Sequence, residues 1–435
     1  MLRRYAAVGA ASLLLLAGCS NGEDGDPRPS PSPSASKSAA PSASARPAFD
    51  PPTRFAPQGA ALPAEASENK ISLGGTNTEP LPVTLHRTTA YVASTASLLA
   101  VETDTGRTLA TITPKLGKPE ATTDSPWVGS NPAEAPVLWT DNGRATIVAT
   151  FVVERPATGT QKAGRAVEVV AVDAESAKTL WTAEVAVPPG LDQGYAGLAA
   201  NPIGVDGTTL AVGVSYQDNE GVIAVDLASR RALWSRADFR PGVVASGVVV
   251  GATGDPVADK SSVVALNLAD GKQRWTALPD SQQLTVSTVG PTVLIAAGKS
   301  YSGQQSLVAF LDVATGKVRE QSTADYTGVR CRFDGKDVTV CAKSGWAAGL
   351  DAVSAKVLWE LPDQADTRVA PQVTAVWHGA VYGTTDNGPV VLDARSGQDR
   401  EVSPGLAPMV VNEYVGIGQP PTGGGSGVRS YRATK

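Results

Sequence analysis

The chain has 435 residues, of which 18% are charged, with 44 glycines, 32 prolines and a formal net charge of −5. No basic excess exists to neutralise the phosphates of a duplex, which excludes nucleic acid as an ordinary partner. The length suits one large repeat fold or several smaller domains, so the domain count has to come from the residue pattern.

The first twenty residues, MLRRYAAVGAASLLLLAGCS, set Arg3 and Arg4 before an apolar run from Tyr5 to Leu16. That run is too short for a mature membrane span and fits an export signal. Its ending, Leu16-Ala17-Gly18-Cys19, resembles the bacterial lipobox, in which cleavage before the cysteine leaves a thiol that carries a diacylglycerol. On this reading residues 1–18 are a lipoprotein signal peptide and Cys19 is the lipid attachment site, with palmitate among its acyl chains. The protein would then sit on the cell membrane facing outside the cytoplasm, and an ordinary signal peptide with an incidental cysteine is the alternative. Residues 19–54, rich in Pro, Ser and Ala with the single aromatic Phe49, cannot bury a core and read as a disordered tether.

From there a unit recurs. The segments are LLAVETDTGRTLA, VVAVDAESAKTLW, VIAVDLASRRALW, VVALNLADGKQRW, LVAFLDVATGKVRE, AAGLDAVSAKVLW and VVLDARSGQDRE. Each reads as an apolar strand, a turn and a second strand. Glu102, Asp173, Asp226, Asn267, Asp312, Asp351 and Asp393 align at the turn, where a short polar side chain accepts backbone N–H bonds. Gly106, Gly271, Gly316 and Gly397 follow, supplying a left-handed backbone. Later stand Trp181, Trp234, Trp275 and Trp359, replaced elsewhere by Ala110, Glu320 and Glu401, and these rings offer contact area between packed sheets. A further strand precedes each unit, and an eighth such strand leads only into GVRSYRATK, which lacks an outer strand. The segment between Phe55 and Leu73 is available to supply it and close a ring. From Asp226 onward the repeat is about 40 to 45 residues, the size of a four-stranded blade. The expected fold is therefore all-β, an eight-bladed β-propeller over residues 55–435, with seven blades as the alternative.

Two cysteines remain in VRCRFDGKDVTVC. Asp334-Gly335 signals a turn, and a loop from Gly335 to Asp337 sets Cys331 opposite Cys341, so outside the cytoplasm a disulfide is expected, against free buried thiols.

The repeat resembles that of the PQQ-like β-propeller family, which includes quinoprotein dehydrogenases and lipoprotein propellers of the BamB type. The resemblance implies the fold, and it raises a cofactor, since quinoproteins of this family use PQQ and usually calcium. It leaves activity open. The chain has no adjacent cysteine pair and no CxxCH. Its only histidines, His86 and His378, precede strands at turn positions, where a solvated turn residue is the plain expectation and a catalytic base the alternative. The repeated carboxylates are spread one per blade, which favours turn capping over a metal site, and the tryptophans are distributed likewise. No catalytic residue, no metal site, no PQQ or calcium and no enzyme activity is therefore expected.

Excess length falls instead at Pro114 to Ala135, Glu154 to Arg165, Pro188 to Asn201, Ala297 to Ser306 and Gln419 to Gly427. In up-and-down connectivity all five emerge on one face, which is the expected binding face, with Trp127, Tyr195 and Tyr301 as its aromatic candidates. Unconstrained loop growth is the alternative. The function expected is a monomeric, lipid-anchored binding or assembly scaffold whose partner is another envelope protein or an extracellular ligand. A ligand-sensing or accessory subunit comes second, and a PQQ-dependent dehydrogenase third.

Overall fold

The computed structural model describes residues 46–67, 80–120, 133–191, 197–216, 219–254, 260–300, 305–322, 328–420 and 427–435. Apart from the short 3-10 turn Ala64–Ala66, the regular structure among these residues is strand. No helix is long and apolar enough to cross a membrane among them.

The fold is an all-β propeller. Its first sheet is Val83–His86, Thr89–Ala93, Leu98–Glu102 and Thr108–Ile112, paired antiparallel in that order. The same meander recurs along the chain. One seven-stranded sheet is two such units joined through the 16-residue strand Gln273–Thr288, whose first part pairs with Ser261–Asn267 and whose last part pairs with Val293–Ser300. Counted in this way, the described residues hold eight such units, each of four strands except the second, to which the short strand Lys118–Pro119 adds a fifth. The third strand of each is apolar on both faces because a sheet lies on either side; Leu98, Leu99, Ala100 and Val101 are all buried.

Hydrophobic clusters lie between sheets rather than within them. One joins Tyr91 and Leu98 of the first unit to Ile147 and Val170 of the second. Another joins Val415 and Ile417 of the eighth unit to Val83 and Val101 of the first, so the series returns to its start. The closing strand is Ala60–Ala61, which pairs with Arg429–Arg432 at Ala60↔Ser430 and Ala61↔Arg429. Ring closure therefore removes the edge that the eighth unit would otherwise expose.

The body begins earlier than the composition suggests. Arg46 to Arg54, the end of the segment read as tether, is bonded to it. Phe49 N donates to Glu413 O at 2.8 Å, Thr53 N to Lys435 O at 2.7 Å, and Thr434 N donates back to Arg54 O at 2.9 Å. Arg46 pairs with Asp104, and Arg54 Nε with Glu401 Oε2 at 2.6 Å. The buried Tyr382 hydroxyl donates to Pro52 O at 2.8 Å. Backbone groups carry much of this docking, which a Pro/Ser/Ala composition does not reveal.

In each unit, the first-to-second and third-to-fourth turns emerge on one face of the ring. The second-to-third loops and the connections between units emerge on the other. Asp104, Glu413 and His378 belong to turns of the first kind, so the strap Arg46 to Arg54 lies on the face of short turns, opposite the long loops.

Candidate functional site

The short-turn face is committed to structure. Asp173 Oδ1 accepts Ser176 N at 2.8 Å and Ser176 Oγ at 2.7 Å, and Asp351 and Asp393 take Ser354 and Ser396 in the same way. Asp312 does so with Thr315. The Ser176 hydroxyl and amide hold Asp173 below its usual carboxylate range, and the Ser354 amide and hydroxyl do the same for Asp351. The Ser or Thr three residues after the acid is part of the device and was not read from the sequence.

The tryptophans reach across units. Trp234 Nε1 donates to Leu268 O at 2.7 Å, Trp275 Nε1 to Val313 O at 2.9 Å, and Trp359 Nε1 to Ala394 O at 2.7 Å. Each carbonyl belongs to the next unit's turn. A one-residue register shift precedes each ring, between Ala265 and Leu266 for Trp275, and re-aims it towards the neighbour. The ring then covers the next turn's glycine. A Cβ on Gly271, Gly316 or Gly397 would lie 2.7, 2.4 or 2.7 Å from Trp234, Trp275 or Trp359. Where Ala110 and Glu320 replace tryptophan, the next turns carry Ala177 and Ala355 at φ 54° and 59°. Trp181 instead faces Arg230, whose guanidinium sits 5.5 Å from the ring centroid. These rings are therefore joints between sheets.

Both histidines are half-buried and tied to carboxylates rather than solvated. His86 Nε2 is 2.8 Å from Glu175 Oε1. His378 stacks on Trp377 with centroids 3.9 Å apart, and its Nδ1 is 2.6 Å from Asp50 Oδ1 in the strap. Among the described residues no three His, Cys, Asp or Glu side chains converge as a metal site. Cys331 and Cys341 are register partners on adjacent strands and are joined by a disulfide, with Cα atoms 4.0 Å apart.

The loop face is organised by groups the sequence reading missed. Trp127, Tyr195 and Tyr301 lie outside the described residues, as does Cys19. The second unit rises above its neighbours as the long hairpin Arg144–Arg155 and Gly164–Asp173. Inside it Glu168 is fully buried and accepts Lys115 N at 2.9 Å and Leu116 N at 2.8 Å from the connection that precedes the unit. Glu120 is buried too. Its Oε1 accepts Gly197 N at 2.8 Å and Leu198 N at 3.2 Å, and its Oε2 meets Arg165 Nε at 2.8 Å. One carboxylate thus ties together three of the five long segments: Pro114 to Ala135, Glu154 to Arg165 and Pro188 to Asn201. A glutamate in the otherwise apolar run of Gly164–Asp173 was the available signal for Glu168; nothing local marked Glu120.

Among the described residues, three clefts are seen on this face. One of about 790 Å3 lies beside the long hairpin, between Lys115, Lys118 and Arg155. Two others, of about 640 and 650 Å3, flank the strand Arg330–Phe333, the first strand of the sixth unit.

A sequence model of the family described as "Outer membrane protein assembly factor BamB" matches residues 165–400. No curated protein sequence matches the chain. Solved structures of similar architecture include the computationally designed Ika8 protein, 12% identical, covering 80% of this chain and 95% of that one at a TM-score of 0.47. Saccharomyces cerevisiae Sqt1 is 12% identical and covers 90% of this chain and 100% of its own at 0.42. Kuenenia stuttgartiensis hydrazine synthase is 15% identical and covers 70% and 92% at 0.40.

Proposed function

The chain belongs to the family of outer membrane protein assembly factor BamB, and from that premise we propose that it is a non-enzymatic binding or assembly scaffold. It is lipid-anchored through Cys19, faces outside the cytoplasm, and engages another envelope protein through its long-loop face. The observation that carries this reading is the Glu120 node. A loop that had merely grown would not need a buried carboxylate bonded to two amides of a second loop and paired with an arginine of a third. Such bonds fix loop geometry before a partner arrives, which lowers the ordering cost of association. The strap supports the same orientation, because it joins the body on the face opposite these loops.

Photo-crosslinkers at the exposed Leu116 and Lys162 test this in intact cells, against Val353 on the short-turn face. The expected result is one shared envelope protein from the two loop positions, none from Val353, and loss of capture in Glu120→Ala. Capture of that protein only from Val353 would refute the assignment. Acyl labelling that survives Cys19→Ser would refute the anchor. Dye-linked oxidation of alcohols or sugars on addition of PQQ and calcium would replace the scaffold reading with catalysis.

A further inference from the structure

The first strand of the sixth unit is a short flap with one firm end. Its turn end is pinned by Asp334, which is 1% exposed. Asp334 Oδ1 accepts Lys336 N at 2.8 Å, Asp337 N at 3.0 Å and Val338 N at 3.0 Å, and its Oδ2 accepts Gly379 N of the seventh unit at 3.0 Å. Between that turn and the loop face, Arg330–Phe333 rests on four register pairs with Val338–Lys343. The corresponding strand of the seventh unit, Gln372–Trp377, is six residues long. Residues of the short strand line both of the clefts that flank it.

The disulfide fastens the other end. Cys331 is the second residue of the strand on entry from the loop face, and its register partner is Cys341. The two cysteines differ in access. Cys341 is 0% exposed, in a cluster with Val289, Ile295 and Phe310 of the fifth unit, whereas Cys331 is half-buried and lines the fifth-unit cleft of about 640 Å3. Exchange requires a thiolate to reach one sulfur of the bond, so access decides whether and where it is attacked. Sealed on both sides the bond would be inert, and here one side borders open space.

We propose that Cys331–Cys341 is a redox-operated lock: a dithiol reductant entering the fifth-unit cleft cleaves it and frees the loop-face end of Arg330–Phe333. One thiolate of the reductant attacks Cys331 Sγ, the bond between the two cysteine sulfurs breaks, and Cys341 leaves as a thiolate that takes up a proton. The second thiol of the reductant, deprotonated, then displaces Cys331 from the mixed disulfide. The reductant ends as a disulfide, and the protein holds two thiols, having gained two electrons and two protons.

The geometry confines the opening. Asp334 keeps its turn on four amides, so the released strand moves about that end while the rest of the unit stays in place. The clefts on its two sides change shape with it, which makes this part of the loop face respond to the thiol balance outside the protein. The device stands without the scaffold reading and without the anchor.

The test is hydrogen–deuterium exchange of the full chain in detergent, read by mass spectrometry before and after dithiothreitol. Reduction should speed exchange at Arg330–Phe333 about tenfold more than at Gln372–Trp377, with the far-ultraviolet circular dichroism of the ring retained. Cys331→Ala/Cys341→Ala should exchange like the reduced wild type and ignore dithiothreitol. The monothiol 2-mercaptoethanol, followed by alkylation, should leave its adduct on Cys331 and the alkyl group on Cys341. A bond that survives dithiothreitol in the folded protein, or unchanged exchange once it is reduced, would overturn the lock. Equal acceleration in both strands would replace it with a general loss of stability, and an adduct on Cys341 would overturn the route through the fifth-unit cleft.

Discussion

Replacing Gly316 by alanine tests whether the joints between sheets are set by tryptophan or only by turn chemistry. The turn places Gly316 at φ 68°, where an L side chain costs roughly 1–2 kcal/mol. The added Cβ would lie 2.4 Å from Trp275, which is 8% exposed and donates to Val313 O. The ring must therefore move and leave a buried donor without its acceptor, at roughly 1–3 kcal/mol more. The total is about 2–5 kcal/mol in the wild-type background. In a Trp275→Ala background only the backbone cost remains, roughly 1–2 kcal/mol. Equilibrium urea unfolding followed by far-UV circular dichroism gives the four corners of this double-mutant cycle, with an expected coupling of roughly 1–3 kcal/mol. Ala355→Gly is the control, since Glu320 stands where the tryptophan would be. Relief of the left-handed backbone there offsets a lost buried methyl, leaving a change within about 1 kcal/mol. Equal cost of Gly316→Ala in both backgrounds would refute the joint.

Three further outcomes are expected. Tyr382→Phe removes the bond to Pro52 O, should cost about 1 kcal/mol, and should speed tryptic cleavage after Arg54; unchanged cleavage would show that the strap is held without it. The Arg54 guanidinium, helped by an amide bond from Ser403 and by Lys435, holds Glu401 down at about 2. A depressed carboxylate contributes stability that is present above its unfolded value and lost as pH falls through the folded one, so the melting temperature should drop between about pH 4.5 and pH 2, less so in Arg54→Ala. Cys331→Ser/Cys341→Ser opens a short loop and should lower unfolding stability by about 2–3 kcal/mol, read by urea denaturation.

What was legible in the sequence was local. Asp312 and Gly316 identify their turn because both act within four residues, and the apolar third strands stand out because sheets cover both faces. What lay across units was hidden. No local rule says that Trp275 requires Gly316 in the following unit, or that Glu120 fastens residues of two distant loops. The first strands were the least visible, since Val83–His86 and Arg330–Phe333 are short and mix polar with apolar residues. For that reason Arg330–Phe333 stood out only through its cysteine. The strap escaped because composition reports side chains, whereas its hold is largely backbone to backbone.

The closure at Ala60–Ala61 also sets a clock. Its partners are some 370 positions away in sequence, as the Ser430 contact to Ala60 shows. Neighbouring sheets can pair as soon as each has been made, but this junction can form only once Arg429–Arg432 has been synthesised. Until then the eighth unit keeps a bare edge and the first lacks the neighbour that buries Val83 and Val101. Contacts of such long range are slow to form. The ring therefore spends its synthesis as an open chain of sheets, and closes into a propeller only when its last strand is made.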